Sequence, residues 1–216
     1  MYLLVAATSF EMESARSFFV NEADVDYLVC GVGLVESTFS LSRFLAAARK
    51  KIQAVILFGI AGAYIDSEAG MLDLCLAEKE ILADLGIFMN DEITFFDRQK
   101  MNVEVEFPLP VRILVHAEEI LADGGFVGKK GTFVTVNCAS GTLKRGMYLK
   151  KKHQALCENM EGAAVVRVCQ GFQVPCVELR CVSNMVMDRD PSQWLLHEAC
   201  EKSGAAAACL VKGLLM

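Results

Sequence analysis

Carboxylate and amide side chains stand just beyond several apolar runs of this 216-residue chain, at the points where buried strands would end. Glu11 follows the first run by three residues, Glu161 begins a helix-like segment, and Asn184 follows a late apolar run. A carboxylate can take a proton from water or accept two hydrogen bonds, and an amide can both donate and accept. These residue types predict a polar small-molecule site, in which Glu13 is the alternative to Glu11.

The elements that must position these side chains alternate between apolar runs and amphipathic segments. Strands are predicted at residues 2–8, 25–30, 53–58, 132–136 and 176–182. Helices are predicted at residues 11–19, 37–48 and 161–170. A closing helix is expected to be capped by Asp190, with Pro191 in its first turn. Continuous apolar strands between helices indicate an α/β fold with a largely parallel sheet covered on both faces.

Ligands of such sheets bind beyond the carboxyl ends of the strands, so the residues that follow each strand are the site candidates. They are residues 9–11, 31–33, 59–63, 137–140 and 183–184. The least regular stretch, about residues 84–110, is predicted to be a long connection or a loop that covers the site.

The composition excludes several classes of protein. A net charge of −6 and a pI near 5.2 argue against a nucleic-acid partner, which would require a basic stripe. No apolar stretch reaches the roughly 18–20 residues of a membrane span, and the start of the chain lacks the pattern of a signal peptide. No linker divides the chain, so residues 1–216 are predicted to form a single domain.

The cysteines and histidines indicate neither disulfides nor a metal site. The nine cysteines are odd in number, include no CxxC pair and lie partly in apolar runs, as expected of free thiols in a cytoplasmic protein. The three histidines show no ligand spacing. Neither a metal nor an organic cofactor is expected.

Three segments, in this order along the chain, resemble the purine nucleoside phosphorylase/nucleosidase superfamily. They are Gly59–Ala63 (GIAGA), similar to the G-S-x-G-G turn of the family, Glu158–Ala164 (ENMEGAA), and Arg180–Asn184 (RCVSN). The resemblance implies a single α/β domain with a mixed, partly curled sheet between helices. It also implies a nucleoside substrate and a homodimer or higher homo-oligomer, for which residues 84–110 are the candidate contact.

The resemblance implies a role for each matching residue. Glu161 would accept hydrogen bonds from the ribose 2′ and 3′ hydroxyls, although a carboxylate at a helix start also suits the helix dipole. Glu11 would be the general base that takes a proton from the attacking water. The remaining substrate-binding positions are Ile60, Ala61 and Gly62 on the sugar side, with Asn159 and Met160 beside Glu161.

Asn184 departs from the pattern of the methylthioadenosine/S-adenosylhomocysteine nucleosidases, which usually carry aspartate here. A protonated aspartate donates to purine N7 and accepts from the 6-amino group. An asparagine amide instead donates to N7 or to O6 of a 6-oxopurine, and a mispaired buried polar group costs about 1–3 kcal/mol. Asn184 therefore favours a hypoxanthine-like leaving group, although a flipped amide could still accept from an amino group. A strand-end turn is the alternative interpretation of Ser183 and Asn184.

Two apolar residues favour water over phosphate as the nucleophile. Phosphorylases of the superfamily use an arginine and a serine around the glycine-rich turn, and the matching positions here are Leu57 and Ile60. An apolar pair offers phosphate no charge-assisted hydrogen bonds.

The segment Ser183–Asp190 with Trp194, and the start around Phe10, resemble the futalosine hydrolase branch of the superfamily. This resemblance implies hydrolysis of futalosine to hypoxanthine and dehypoxanthine futalosine, a step of menaquinone biosynthesis. The carboxyphenyl ketone tail of futalosine would need an apolar slot and a cation. Phe95, Phe96 and Phe107 are the candidate slot residues, and the sequence identifies no cation.

Three alternatives stay open. They are an adenine-releasing methylthioadenosine/S-adenosylhomocysteine nucleosidase, a purine nucleoside phosphorylase, and a non-catalytic nucleoside-binding protein of the same fold. The charged segment Asp188–Asp190 is assigned no catalytic role, because a charged loop with a helix cap explains it.

Overall fold

The computed structural model describes residues 1–19, 22–90, 92–96 and 98–216, and for Arg98 and Gln99 it describes the backbone alone. The strands are β1 (Tyr2–Ala6), β2 (Val25–Val29), β3 (Ala54–Tyr64), β4 (Leu74–Leu82), β5 (Ile87–Met89), β6 (Glu92–Thr94), β7 (Glu106–Pro108), β8 (Gly128–Thr135), β9 (Cys157–Asn159) and β10 (Cys176–Val186). The helices are α1 (Ser9–Arg16), α2 (Leu34–Ala47), α3 (Arg98–Met101), α4 (Val111–Asp123), α5 (Leu143–His153), α6 (Gly162–Phe172) and α7 (Leu196–Leu215).

One eight-stranded sheet organises the fold, in the order β10-β4-β8-β9-β3-β1-β2 with β7 on β4. Because β10 also pairs with β3, the sheet curls back on itself. The pairs β1–β2, β1–β3, β3–β10, β4–β8 and β8–β9 are parallel, whereas β3–β9, β4–β10 and β4–β7 are antiparallel. The expectation of a mixed, partly curled sheet between helices is confirmed.

The strand β3 runs past the end that the sequence predicts for it. The sequence predicts a stop at Gly59, but β3 continues to Tyr64 in parallel register with β10. Gly59 is needed inside the strand because an added Cβ would overlap the carboxylate of Glu11 and lie 3.2 Å from the guanidinium of Arg180. The glycine-rich segment is therefore strand and not turn, and the prediction of a turn is wrong.

The strand β10 likewise extends beyond its predicted end at Val182 and reaches Val186. Its register with β3 shifts between Val182 and Asn184, as in a β-bulge. A bulge redirects side chains without ending the strand, so Ser183 and Asn184 lie within β10 and not in a turn after it.

The predicted cap of the closing helix belongs to a different element. Asp190 Oδ1 accepts from the backbone N of Ser192 at 3.1 Å and caps a short 3₁₀ helix, Pro191–Gln193. Trp194 then has an extended backbone, which interrupts the helical path, and α7 begins at Leu196.

The core lies around β1, β3 and β10, the three neighbouring parallel strands, whose residues are mostly buried. The carboxyl ends of these strands therefore open at one edge of the sheet, where α1 follows β1. No helix of the described residues is both long and apolar enough to cross a membrane.

Candidate active site

A cavity of about 440 Å³ opens at this edge of the sheet. Every residue that the sequence assigns to catalysis or to binding the sugar and the purine lines it: Glu11, Ile60, Ala61, Gly62, Asn159, Met160, Glu161 and Asn184. The structure thus brings together residues that are far apart in the chain, and their chemical roles stay predictions.

Glu11 lies at the start of α1 with its side chain buried. Its Oε2 accepts hydrogen bonds from Thr8 N at 3.0 Å and Thr8 Oγ1 at 2.8 Å, while Oε1 accepts from Ile60 N at 3.1 Å. The bond from Thr8 N and the reciprocal bond from Glu11 N to Thr8 Oγ1, at 3.2 Å, form a capping box, so the carboxylate also stabilises the helix start. Glu13 is exposed and does not line the cavity. The geometry therefore favours Glu11 over Glu13.

Glu161 occupies the N-cap position of α6, and its side chain is buried and bonded to the β2–α2 loop rather than to the helix. Its Oε1 accepts from Gly33 N at 3.0 Å, and its Oε2 lies 3.5 Å from Nη1 of Arg180. The start of α6 and the guanidinium both place partial or full positive charge beside this carboxylate. Glu161 is thus a fixed hydrogen-bond acceptor on the cavity wall.

Asn159 lines the cavity, but its amide is engaged inside the protein. Oδ1 accepts from the backbone N of Glu161 at 3.0 Å and of Gly162 at 2.7 Å, and Nδ2 donates to Glu80 at 2.5 Å. The two backbone contacts fix the orientation of the amide, because only an oxygen can accept them. Asn159 therefore holds the start of α6 in place behind Glu161.

Asn184 is half-buried on the bulged part of β10. Its Oδ1 accepts from Ser183 Oγ at 2.9 Å, and its Nδ2 has a longer contact of 3.4 Å to the carbonyl of Met185. Nδ2 stands 3.1 Å from the position that a Cβ on Gly62 would occupy. Of the two polar atoms of this amide, Nδ2 thus has the longer contact to the protein.

A carboxylate that the sequence analysis did not select, Glu158, also lines the cavity. It is buried and accepts from Ser140 N and Oγ, each at 2.7 Å, and from the Tyr64 hydroxyl at 3.1 Å. Burial and this carboxylate raise the pKa of Tyr64 well above its ordinary value, so the phenol stays a neutral donor. Glu158 therefore connects the loop after β8 to the end of β3. Its position directly before the N-M-E-G-A-A segment is the sequence feature from which its place at the site could have been predicted.

Two further acids, Glu80 and Glu178, are fully buried beside the start of α6. Glu178 Oε1 accepts from Arg180 Nε at 3.0 Å, whereas Glu80 is bonded by neutral donors, including Thr135 Oγ1 at 2.7 Å. A methyl group on Gly162 would overlap the carboxyl oxygens of both acids, so the two groups converge on this glycine. The motif requires glycine at this position for that reason.

One guanidinium cannot neutralise three buried carboxylates, namely Glu80, Glu161 and Glu178. Burial raises the pKa of Glu80 well above its ordinary value, and the nearby charge of Glu178 raises that pKa further. Glu178 has the direct ion pair with Arg180. Glu80 is therefore the protonated member of the pair, and Glu178 is the charged one.

The cavity differs from the sequence prediction on its apolar side. Phe95 lies 5.7 Å from the ring of His153, Phe107 is buried in the core, and neither these residues nor Phe96 line the cavity. The prediction that these phenylalanines form an apolar slot for the substrate tail is therefore wrong for this cavity. Asp91 and Asp97, in the predicted covering loop of residues 84–110, lie outside the described residues. The apolar lining comes instead from Phe10, Val32, Trp194 and Leu196. Among the described residues, no cluster of side chains could hold a metal ion.

We expect Glu80→Gln to fold, because the amide has nearly the shape of a neutral carboxyl. A raised pKa stabilises the folded state fully below the unfolded pKa, near 4.5, and this contribution is lost as the pH rises toward the folded pKa. The variant lacks this titration. Its free energy of unfolding should therefore increase relative to that of the unmodified protein between about pH 5 and about pH 8.

Urea unfolding at both pH values measures this difference. The matched control is Glu78→Gln, which removes an exposed carboxyl from the same strand. A difference for Glu80→Gln that changes with pH no more than that of the control would contradict a protonated Glu80.

Comparisons with known proteins agree with this geometry. The family model described as the phosphorylase superfamily matches residues 6–215. A futalosine hydrolase of Streptomyces coelicolor is 32% identical over 219 residues, covering 92% of this chain and 90% of the relative. A futalosine hydrolase of Thermus thermophilus is 31% identical over 179 residues, covering 80% of this chain and 75% of the relative.

Among solved structures, a futalosine hydrolase mutant of Helicobacter pylori has the same fold, with a TM-score of 0.84, 20% identity and 98% coverage of both chains. The two sequence relatives exceed 30% identity over most of their length, and the family model spans nearly the whole chain. The chain therefore belongs to the phosphorylase superfamily and, within it, to the futalosine hydrolase family of N-glycosyl hydrolases.

Proposed function

We propose that this protein hydrolyses the N-glycosidic bond of futalosine and releases hypoxanthine and dehypoxanthine futalosine, a step of menaquinone biosynthesis. The observation that carries the proposal is the convergence of Glu11, Glu161 and Asn184 on one cavity. Together they supply a proton acceptor, an anchor for a vicinal diol and a donor for a 6-oxopurine.

Glu161 anchors the ribose. Each carboxylate oxygen accepts more than one hydrogen bond, so the contacts to Gly33 and Arg180 leave lone pairs for the 2′ and 3′ hydroxyls. Met160, next in the chain, packs against the sugar or the base, and Ile60, Ala61 and Gly62 line the sugar side. Asn159 supports this wall from behind.

Glu11 is the general base. It takes a proton from a water molecule as the water oxygen attacks the anomeric carbon and the bond to the purine nitrogen breaks. Its negative charge also stabilises the positive charge that develops on the ribose. The contacts to Thr8 and Ile60 hold the carboxylate in one orientation, so little reorganisation is required during the reaction.

Asn184 recognises the leaving purine. The bonding electrons depart with the base, and Nδ2 donates to N7 or O6 of hypoxanthine. Because an amide cannot supply a proton, the purine takes its proton from water. With Oδ1 bonded to Ser183 Oγ, Asn184 presents its donor Nδ2 to the base, which disfavours a 6-amino group.

Water is the nucleophile. Leu57 is fully buried and apolar, and the backbone N–H of Ile60 already donates to Glu11. Arg180 is paired with Glu178 and Glu161, and the negative charge of these two carboxylates disfavours a phosphate ion beside it. The positions at which a phosphorylase binds phosphate therefore offer no anion site here.

The proposal predicts that the purified protein releases hypoxanthine from futalosine without phosphate, and releases adenine from methylthioadenosine far more slowly. Chromatography of the released base, with inosine as a third substrate, measures both rates. Comparable adenine release would identify a methylthioadenosine-type nucleosidase, and phosphate-dependent turnover would identify a phosphorylase. Binding without turnover of any substrate would identify a nucleoside-binding protein.

Glu11→Gln is expected to lower kcat by at least about 10²-fold, because the amide cannot accept the proton of water. The affinity for dehypoxanthine futalosine should change little, since the amide keeps the size of the carboxylate. Glu13→Gln is the matched control and should retain full activity, because Glu13 faces solvent. The assignment of the base would be wrong if the Glu11 variant kept its activity or the Glu13 variant lost it.

We also propose that the protein is cytoplasmic. Free thiols at all nine cysteines agree with a reducing compartment.

We further propose that the protein forms a homodimer. Exposed apolar side chains on α2, such as Val35 (78% exposed) and Phe39 (59%), lie near Val32 at the cavity and suit a subunit contact. Residues 84–110, with exposed Phe88 and Met89, are the second candidate contact.

Light scattering of the purified protein tests the assembly, and the expected mass is twice that of the chain. Phe39→Glu should shift the protein toward the monomer if α2 forms the contact, because it places a charge in an apolar interface. Phe88→Glu is the corresponding variant for the other contact. A monomeric unmodified protein would contradict the dimer.

A further inference from the structure

Among the side chains that the structure describes, two guanidinium groups line the cavity, and their surroundings differ. Arg180 is buried and paired with Glu178 and Glu161. Arg189 is exposed and lies between β10 and the 3₁₀ helix. Within the described residues, no side chain or carbonyl accepts a hydrogen bond from its guanidinium, and no carboxylate forms an ion pair with it.

The carboxylates next to Arg189 in the chain are engaged elsewhere. Asp188 Oδ1 accepts from Leu143 N at 3.0 Å, and Asp190 accepts from Ser192 and Gln193. These bonds turn both aspartates toward backbone and neutral side chains. Arg189 is therefore a cation at the cavity without a resident counter-ion among the described residues.

The position of Arg189 is fixed by its neighbours. Its backbone N donates to the carbonyl of Gly141 at 3.2 Å, which ties the segment to the loop after β8. Its guanidinium lies 4.4 Å from the centre of the Trp194 ring, in a cation–π contact. Trp194 itself follows the 3₁₀ helix that Asp190 caps. The pair is thus held at the cavity before any ligand arrives.

The cavity is also lined by apolar groups that the ribose and purine contacts do not use. Phe10, Val32 and Leu196 line it and are 54%, 54% and 40% exposed. Exposed apolar side chains that gather around a cavity indicate a ligand with an apolar part. Together with Arg189 and Trp194 in the same cavity, they suit a ligand that combines an aromatic ring with an acid.

We propose that Arg189 and Trp194 form the subsite for the carboxyphenyl end of the substrate. This inference rests on the proposed function, because futalosine supplies the aryl acid. The guanidinium binds the carboxylate through its fork of two N–H groups, and the indole packs against the phenyl ring. Contacts at this subsite would increase the affinity for futalosine relative to nucleosides that have the same purine but lack the acid.

Arg189→Gln is expected to raise KM for futalosine by roughly 10-fold, the effect of losing an exposed charge-assisted hydrogen bond, with a smaller change in kcat. The inhibition constant of dehypoxanthine futalosine, which keeps the acid, should rise by a similar factor. The inhibition constant of hypoxanthine, which lacks the acid, should not change. For Arg189→Lys, KM for futalosine should lie between the values of the unmodified protein and Arg189→Gln, because lysine keeps the charge but lacks the fork of two N–H groups.

Arg167→Gln is the matched control, since Arg167 is exposed on α6 and does not line the cavity. An unchanged inhibition constant for dehypoxanthine futalosine would overturn the subsite. An equal rise for hypoxanthine would also overturn it and would place Arg189 at the purine. If the unmodified protein releases no hypoxanthine from futalosine, the proposed function itself fails, and that result is separate from either outcome.

Discussion

The polar interior of this protein depends on one buried cation, Arg180. It lies on β10 among apolar residues and donates to Glu178, Glu161 and the carbonyl of Ile60. A charge in such a place costs several kcal/mol unless it is paired and hydrogen-bonded. Two of the acids around it supply carboxylate partners, and in return Arg180 fixes the carboxylate that faces the cavity.

A second set of contacts joins this ion pair to the backbone of α6. Glu80 bonds to Asn159 and Thr135, and those two side chains accept from the first backbone N–H groups of the helix. Helix starts leave such N–H groups without partners, so the side chains satisfy them. Glu161 is therefore held by Arg180 on one side and by the supported start of α6 on the other. Gly162 leaves room for Glu80 and Glu178 to approach each other.

The paired strands β3 and β10 decide where the cavity opens. Both run past their predicted ends, and the bulge in β10 redirects Asn184 toward Gly62 of β3. Because β1 is parallel to β3, its carboxyl end brings Glu11 to the same edge. Glu11, Asn184 and Glu161 thus reach one cavity because β1, β10 and β9, the strands that carry or precede them, all pair with β3.

The sequence by itself determined the α/β class, the residue types of the site and their order along the chain, because apolar runs and short motifs are local patterns. It did not determine whether Glu11 or Glu13 faces the cavity. Side chains two positions apart on a helix point to different sides, and only the contacts in the structure show that Glu11 is the buried one. The sequence predicted a turn at Gly59, because glycine is common in turns. It could not show that glycine is needed there to leave room for the side chains of Glu11 and Arg180. It likewise offered Phe95, Phe96 and Phe107 as an apolar slot and found no cation. The pairing of Arg189 with Trp194 at the cavity was decided by the tertiary structure alone, because it depends on how a loop after β10 is tied to the loop after β8.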